Sequence, residues 1–360
     1  MYFDLKPKAK KEDLFGSEFI LQKFKKSLNN KNTRLIVVKG LRRTGKTSLL
    51  NVALKESKLD FLKIDARSTP FFDYLQFITE FKNYLNSILN KNIIKKIKNK
   101  IDSVHLSLGY KDVNTKVKFD INKDKTINKY LEEINKIYSK KNKQLIIAID
   151  EVQLLKNIKI DYLFSSIYDN YEYIKLVFTG SEIGLLSEFL GEKDYDAPLY
   201  GRLFETIETK RLREQESYTF LKEGLKQINI KHTEEELMSI VNQFDGIIGW
   251  HTQYGSERMN NNNHYKSIEK TKTYGKELNK REFNKFLNTR KNKVNYLNIM
   301  RSIKKGENTW AEIKHLFSKM DIKINDSQLY LYLNTLVKYG FIEEINKKYL
   351  FTDPLLVLSF

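Results

Sequence analysis

The sequence contains no cysteine in 360 residues. This absence excludes disulfide bonds, thiolate catalysis and cysteine-ligated metal centres. The five histidines are scattered along the chain and show no metal-ligand spacing. A metal centre built on cysteine or histidine is therefore not expected.

Long apolar runs are also missing. No stretch of eighteen apolar residues is present, so the sequence predicts no transmembrane helix. Residues 1–6 lack the apolar core of a signal peptide. Hydrophobic residues nevertheless make up 41% of the chain, which is long enough for two or three domains. These features favour a cytoplasmic globular protein.

Acidic residues are too few to balance the basic ones. The formal net charge is +19, which suits nucleic acid or another polyanion. The chain is also rich in Lys, Asn, Ile, Tyr and Phe, as the product of an AT-rich genome would be. The charge is therefore equally consistent with a merely solvated surface.

A glycine-containing segment is the most informative part of the sequence. Residues 40–47 fit the P-loop pattern G-x-x-x-x-G-K-[ST], in which backbone N–H groups wrap a phosphate. Residues 35–38 before it predict a buried parallel strand, and residues 48–54 after it predict a helix whose N-terminus favours an anion. The predicted nucleotide-binding residues are Gly40, Leu41, Arg42, Arg43, Thr44, Gly45, Lys46, Thr47 and Ser48.

Four side chains near this loop have predicted chemical roles. Lys46 would reach the β- and γ-phosphates of ATP, and the Thr47 hydroxyl would bind Mg²⁺. The apolar segment 144–149 predicts a second strand, which ends in Asp150 and Glu151. Asp150 would hold hydrated Mg²⁺, and Glu151 would orient the attacking water.

Other strand ends supply further candidates with alternatives. Thr179 or Ser181, at the end of a third buried strand, would contact the γ-phosphate or the water; otherwise the hydroxyl caps the next helix. Arg202 would act as an arginine finger in cis or in trans; otherwise it forms a surface salt bridge. Asp65 and Arg67 end the strand 60–65 and would lie near the ligand crevice, or form a pair that only orders a loop.

Three regions are predicted along the chain. Residues 1–205 form an α/β P-loop core with a parallel sheet, and residues 103–121 are inserted as a β-hairpin because polar and apolar residues alternate around Gly109. Residues 206–290 are helical and highly charged, which favours a lid domain. Residues 291–360 predict three helices and a short hairpin, as in a winged helix.

The winged helix leaves its partner undecided. Its third helix would read DNA, but it carries little basic charge. The side chains it offers to bases or backbone are Ser327, Gln328, Tyr330, Tyr332 and Asn334. The hairpin places Glu343 and Glu344 beside Lys347 and Lys348, which is unfavourable for DNA. A protein partner or an intramolecular contact is almost as consistent with this pattern.

Four segments carry a resemblance to a known group of proteins. The chain resembles the archaeal P-loop ATPases of the STAND group, relatives of AAA+ proteins, in residues 40–50, 149–153, 178–186 and 198–202. The paired arginines within the P-loop and the string G-S-E-x-G-x-L-L are specific to that group. The resemblance implies an α/β ATPase core, a helical lid, a C-terminal winged helix, and ATP with Mg²⁺ as ligands.

Two positions depart from the family pattern. Ser17 stands where the family usually has an arginine in the N-terminal box, a position associated with the nucleotide. Residues 246–250 read Gly-Ile-Ile-Gly-Trp, so Ile248 replaces the proline of the family's lid, a region that lies against the adenine. Isoleucine keeps an apolar surface but loses the fixed backbone angle of proline.

Together these patterns predict an ATP-binding and ATP-hydrolysing switch. Loss of the γ-phosphate would move the lid and winged helix relative to the core. The alternatives are a nucleotide-gated DNA-binding regulator with little turnover, and a scaffold for protein partners. The expected ligands are ATP or ADP, with DNA or protein at the winged helix and no membrane. The sequence allows an oligomer.

Overall fold

A five-stranded parallel sheet lies at the centre of the N-terminal half. The computed structural model describes residues 1–68, 73–88 and 116–360, with residues 116–126 described as helical backbone. The strands are β1 (Leu35–Lys39), β2 (Asp60–Asp65), β3 (Leu145–Asp150), β4 (Ile174–Gly180) and β5 (Glu205–Glu208). Their order is β2-β3-β4-β1-β5, so β4 lies between β1 and β3.

Helices cover both faces of the sheet. They are α1 (Glu18–Asn29), α2 (Lys46–Ser57), α3 (Tyr74–Ile88), α4 (Lys116–Lys140), α5 (Asp161–Asn170) and α6 (Ile183–Leu190), with a 3-10 helix at Val152–Ile158. Alternate strand residues point to opposite faces. Leu35 and Val37 join the core beneath α3 to α6, whereas Ile36 and Val38 join the core beneath α1 and α2. Burial on both faces explains the uninterrupted apolar strands.

Several loops lie together at the carboxyl ends of the strands. Lys39 pairs with Gly180, and Asp65 pairs with Asp150. Because all these strands run parallel, the loops that follow β1, β2, β3 and β4 emerge at the same end of the sheet. Open parallel sheets bind ligands outside these carboxyl ends.

The core extends beyond the predicted boundary at residue 205. Strand β5 pairs with β1 and contributes Ile207 to the core. Its sequence Glu-Thr-Ile-Glu has no apolar run because it lies at the edge of the sheet and is only partly covered. Because most of its residues are polar, the sequence pattern did not predict this strand.

The predicted hairpin insertion is wrong in its second half. Residues 116–121 belong to helix α4, and residues 103–108 lie outside the described part of the chain. Six alternating residues are too few to separate a strand from the start of a helix. Here the helix that contains Ile127 to Tyr138 begins earlier and includes them.

One buried lysine joins the sheet to its first helix. Lys175 is the second residue of β4 and is fully buried. Its Nζ donates hydrogen bonds to the carbonyl oxygens of Ser27 (2.9 Å), Leu28 (2.6 Å) and Asn30 (2.8 Å) at the end of α1. Carbonyls at a helix C-terminus lack internal partners, so this ammonium group satisfies them. Burial lowers the pKa of Lys175 to about 8.

Four helices follow the sheet. They are α7 (Glu214–Gln227), α8 (Glu234–Phe244), α9 (Ile248–Met259) and α10 (His264–Asn288). Phe3 from the N-terminal segment packs between them: a Cβ on Gly224 or Gly255 would lie 2.3 or 2.1 Å from its ring. The first residues, predicted as part of the core region, therefore pack on the helical region.

The C-terminal region has the elements predicted for a winged helix. Helices α11 (Lys293–Lys304), α12 (Trp310–Lys319) and α13 (Asp326–Lys338) precede the antiparallel strands β6 (Ile342–Ile345) and β7 (Lys348–Phe351), and a 3-10 helix spans Leu356–Ser359. Phe283 and Phe286 of α10 pack in the same core, so α10 connects the two C-terminal regions. Within the described ranges, no helix is long and apolar enough to cross a membrane.

Candidate active site

The loop between β1 and α2 has the close packing that the sequence pattern predicts. A Cβ on Gly40 would lie 2.2 Å from Thr209 Oγ1 and 2.4 Å from the Thr209 carbonyl oxygen, so only glycine fits there. Gly45 adopts a left-handed conformation with φ 90° immediately before α2. The N-terminal N–H groups of α2 therefore face the sheet edge, an arrangement that favours an anion.

Lys46 lies inside this loop. Its side chain is buried, and its Nζ donates to the carbonyl oxygens of Gly40 (3.0 Å) and Leu41 (2.6 Å). Burial lowers the pKa of Lys46 to about 8, against the opposing effect of the Glu151 and Asp150 charges. The ammonium group is therefore mostly protonated at neutral pH.

The two predicted metal-binding residues are in direct contact. Thr47 Oγ1 donates to Asp150 Oδ2 over 2.9 Å, and Asp150 is fully buried. A hydroxyl and a carboxylate are hard oxygen donors, and Mg²⁺ is commonly held by one or two such groups together with nucleotide phosphates. Over the described residues there is no cluster of three or more His, Asp or Glu that could hold a metal alone. This donor set fits a nucleotide-bound Mg²⁺.

Glu151 is held in a fixed orientation beside this pair. It occupies a left-handed backbone conformation with φ 58°, and its Oε2 accepts from Gln153 Nε2 (2.7 Å), Ser181 N (3.0 Å) and Ser181 Oγ (2.8 Å). Burial opposes its ionisation, but Lys46 and these hydrogen bonds outweigh burial and leave the pKa of Glu151 below its usual value. Glu151 is therefore an ionised acceptor at neutral pH.

Thr179 and Ser181 contact different carboxylates. Thr179 Oγ1 donates to Asp150 Oδ1 and accepts from the backbone N–H of Glu151 over 3.0 Å. Ser181 contacts Glu151 as described above. Neither hydroxyl caps α6, whose N-cap is Glu182 without a side-chain cap bond. Both residues therefore position the two carboxylates at the end of β3.

Arg202 lies away from this group. Its Nε and Nη2 donate to the two carboxylate oxygens of Asp169 over 3.0 and 2.5 Å. It precedes β5, whose first residue pairs with Ile36 near the start of β1, whereas the P-loop follows the other end of β1. Arg202 thus lies at the amino ends of the strands, whereas the P-loop lies at their carboxyl ends. Its pairing with Asp169 is the salt bridge that was the alternative to an arginine finger, and the finger role stays a prediction.

Arg42 of the P-loop points toward the C-terminal half. It forms ion pairs with Glu182, at the start of α6, and with Glu282 of α10, the latter over 3.1 Å. Its guanidinium carbon lies 5.4 Å from the centre of the Phe341 ring, just before β6. Arg42 therefore joins the P-loop to the helical and winged-helix regions.

Arg43 makes a parallel set of contacts. It pairs with Glu282 and Asp353, each over 3.1 Å, and stacks 4.4 Å from the centre of the Trp250 ring. Its carbonyl oxygen accepts from the Gly249 N–H over 3.0 Å. The sequence pattern singled out the two arginines but not their partners Glu282 and Asp353, which have no local motif; Glu182 belongs to the G-S-E string.

The remaining P-loop and cleft residues have mainly structural contacts. Thr44 Oγ1 bonds Leu41 O and Thr209 Oγ1, each over 2.7 Å, and Ser48 Oγ accepts from the Lys8 N–H over 3.0 Å. Ser17 donates to Phe15 O rather than capping α1. Ile248 begins α9 and faces Gly45, where a Cβ would lie 3.9 Å from Ile248 Cγ2. Ser17 and Ile248 line the same cleft as Lys46 and Glu151.

The winged helix is docked on the core by its wing and by the end of its third helix. Lys338, the last residue of α13, pairs with Glu188 of α6, and Glu343 of the hairpin pairs with Arg211 over 3.1 Å. Tyr332 is buried and its hydroxyl accepts from Asn292 Nδ2 over 2.7 Å. Tyr332 was predicted to face DNA; it instead belongs to the core of the domain because its helical position points inward.

Comparison with known proteins agrees with this architecture. Residues 18–249 match the family model described as an ATPase domain predominantly from Archaea, and residues 288–351 match the C-terminal winged helix-turn-helix domain of MCM proteins. Among curated protein sequences, none matches the chain significantly.

Solved structures show the same fold. The structure of a Walker-type ATPase of Pyrococcus abyssi is 29% identical, with a TM-score of 0.80 over 100% of this chain and 99% of that chain. The ORC2 protein of Aeropyrum pernix, in ADPNP–ADP complexes, is 13% identical, with a TM-score of 0.59 over 99% of this chain and 93% of that chain. The second similarity concerns the fold alone.

Proposed function

Because the chain belongs to the family of ATPase domains found predominantly in Archaea, we propose that it is a Mg²⁺-dependent ATP hydrolase. We also propose that the bound nucleotide controls the docking of its winged helix. One observation carries the hydrolase proposal. Two separate segments bring four side chains together at the carboxyl ends of the strands: Lys46, Thr47, Asp150 and Glu151. Thr47 Oγ1 and Asp150 Oδ2 are only 2.9 Å apart.

Each of these side chains has a task in phosphoryl transfer to water. Lys46 leaves the P-loop carbonyls to bind the β- and γ-phosphates, while the N–H groups of the loop wrap the phosphate chain. Thr47 and Asp150 would hold Mg²⁺, which would neutralise charge on the phosphate oxygens. Glu151, ionised and fixed by Gln153 and Ser181, orients the attacking water.

The hydrolase proposal is tested by steady-state ATP hydrolysis with Mg²⁺ or with EDTA. Lys46→Ala should lose nucleotide binding and turnover, whereas Glu151→Gln should bind ATP and lose turnover. Lys55→Ala is the matched control, because Lys55 is an exposed lysine in the same helix. Turnover by the Glu151→Gln variant at the wild-type rate would contradict the role of Glu151, and turnover by Lys46→Ala would place hydrolysis at another site.

The switch proposal rests on five residues, here called the P-loop ion-pair network: Arg42, Arg43, Glu182, Glu282 and Asp353. Two of them belong to the phosphate-binding loop, and their partners come from the core, from α10 and from the segment after β7. A change in loop conformation on nucleotide binding would move both guanidinium groups. Partly buried, charge-assisted contacts are sensitive to such displacements, so the network supports a coupling between nucleotide and winged helix.

The absence of cysteine makes this coupling directly measurable. Cysteines introduced at the exposed positions Lys55 and Lys319 take a fluorophore pair that reports the distance between core and winged helix. We expect this distance to differ between ATP and ADP complexes, and Glu282→Gln to weaken docking without nucleotide. Glu277→Gln, an exposed glutamate of the same helix, is the control. Identical distances in all nucleotide states would refute the switch.

DNA binding is a second candidate function. The first half of α13 faces solvent with Ser327, Gln328 and Tyr330 exposed, although its end is docked on the core. The net charge of +19 supports a polyanionic partner. Retention on duplex DNA that falls steeply with salt and changes with nucleotide supports this function. No retention at low salt would favour a protein partner, for which the exposed Tyr330 and Leu331 offer an apolar surface.

A further inference from the structure

Arg67 stands directly beside the proposed metal site. It follows β2, and its Nε and Nη2 donate to the two oxygens of Asp65, each over 3.0 Å. The same Nη2 also donates to Asp150 Oδ2 over 3.3 Å. The side chain is 50% exposed and lines the same cleft as Lys46 and Glu151. This arginine therefore lies beside the proposed metal site, is anchored by Asp65, and has half of its side chain in contact with solvent.

One carboxylate oxygen of Asp150 lies close to a hydroxyl group and two cationic side chains. Asp150 Oδ2 accepts from Thr47 Oγ1 over 2.9 Å and from Arg67, and Lys63 Nζ lies 3.8 Å away. This oxygen and the Thr47 hydroxyl are the donors that fit Mg²⁺. A guanidinium group and a divalent ion at the same oxygen repel each other, although the half-exposed Arg67 is partly screened by solvent. Arg67 and the metal are therefore competitors for Asp150.

The arginine that the sequence pattern suggested for the γ-phosphate lies far from Asp150 in its own chain. Arg202 is held by Asp169 near the amino ends of the strands. Arg67, in contrast, follows a strand whose last residue pairs with Asp150. Phosphoryl transfer gains strongly from a cation that meets the charge on the γ-phosphate oxygens. Arg67 is positioned for this task within its own chain.

We propose that Arg67 is a cis-acting catalytic arginine that exchanges Asp150 for the γ-phosphate oxygens in the ATP-bound state. The proposal rests on the ATPase function proposed above. Hydrolysis forms a bond from the water oxygen to the γ-phosphorus and breaks the bond to the β–γ bridging oxygen. That oxygen leaves on ADP with the electron pair; one proton of the water stays on inorganic phosphate and the other is released to solvent. Arg67 donates hydrogen bonds to the γ-phosphate oxygens throughout.

The kinetic test compares Arg67→Ala and Arg67→Lys with wild type. Loss of an arginine at the γ-phosphate lowers kcat by about 10³-fold, and ATP binding, measured with a fluorescent analogue, should change little. Arg67→Lys should fall between the two because lysine keeps the charge but not the two-pronged donor geometry. Arg281→Ala is the control, since Arg281 is an exposed arginine paired with Glu277 on α10.

A second measurement tests the competition for Asp150 without turnover. Binding of Mn²⁺ to the ADP complex, followed by electron paramagnetic resonance, should be about fivefold tighter in Arg67→Ala because a repelling charge is removed. A merely structural arginine would leave metal binding equal or weaker in the variant, which overturns the proposal. Wild-type kcat in Arg67→Ala also overturns it. If wild type itself does not hydrolyse ATP, the ATPase proposal fails instead.

Discussion

Replacement of His251 by leucine should make the protein markedly less sensitive to acid. His251 lies in α9 with no exposed surface, and neither ring nitrogen has a hydrogen-bond partner in the described part of the chain. The rings of Phe220 and Phe244 lie 6.3 and 6.2 Å from its ring, centre to centre. Burial lowers the pKa of His251 from 6.5 to about 3, so the ring stays neutral in the folded protein.

The sign and size of the effect follow from proton linkage. A histidine with a lowered pKa contributes stability above its unfolded pKa of 6.5, and that stability is lost as the pH falls toward 3. In that window the unfolded chain binds a proton that the folded chain does not. Each pH unit is equivalent to about 1.4 kcal/mol, so at pH 5 the loss from this one ring is about 2 kcal/mol. Leucine does not titrate and removes this loss.

Urea unfolding at pH 8 and at pH 5, followed by tryptophan fluorescence and circular dichroism, measures the effect. Between these pH values, wild type should lose about 2 kcal/mol more unfolding free energy than His251→Leu. The comparison with wild type cancels the titration of carboxylates. His315→Leu is the control, because His315 is exposed. If His251→Leu and wild type lose the same stability, the ring is not held neutral by burial and the reasoning fails.

Two further predictions concern the site. Thr179→Val should lower kcat about tenfold or more with ATP binding retained, because a buried hydrogen bond to Asp150 is lost. Thr179→Ser is the control and should keep most of the activity. Equal rates in both variants would refute the positioning role. Gly40→Ala should lower the free energy of unfolding by about 2 kcal/mol, since a Cβ there overpacks against Thr209. Urea unfolding without nucleotide checks the second prediction, and an unchanged free energy of unfolding contradicts it.

Local patterns in the sequence were sufficient for the main elements. The P-loop, the strand ending in Asp150 and Glu151, and the three helices with a hairpin at the C-terminus all depend on residues close together in the chain. Glycine spacing and hydrophobic period are local properties, and the structure has these elements where they are predicted. The polar edge strand β5 escaped detection because it is only partly covered.

Contacts between distant segments could not be predicted in this way. The alternation of residues 116–121 suggested a strand, whereas the chain continues there as α4. Lys175 gave no sign of its burial, because its three carbonyl partners belong to a helix about 145 residues earlier in the chain. The sequence offered both Thr179 and Ser181 beside the active site, and only the fold assigned each hydroxyl to its own carboxylate.

The sequence by itself determined that a phosphate-binding loop and two carboxylates lie at the ends of parallel strands. It also supplied Arg202 as a candidate to meet the γ-phosphate, and it placed Arg67 near the ligand crevice. Only the tertiary structure gave their positions, because strand order and direction place Arg67 beside Asp150 at the carboxyl ends of the strands and place Arg202 at the amino ends. Local sequence does not give the order of the strands, so it cannot show which strand ends lie beside one another.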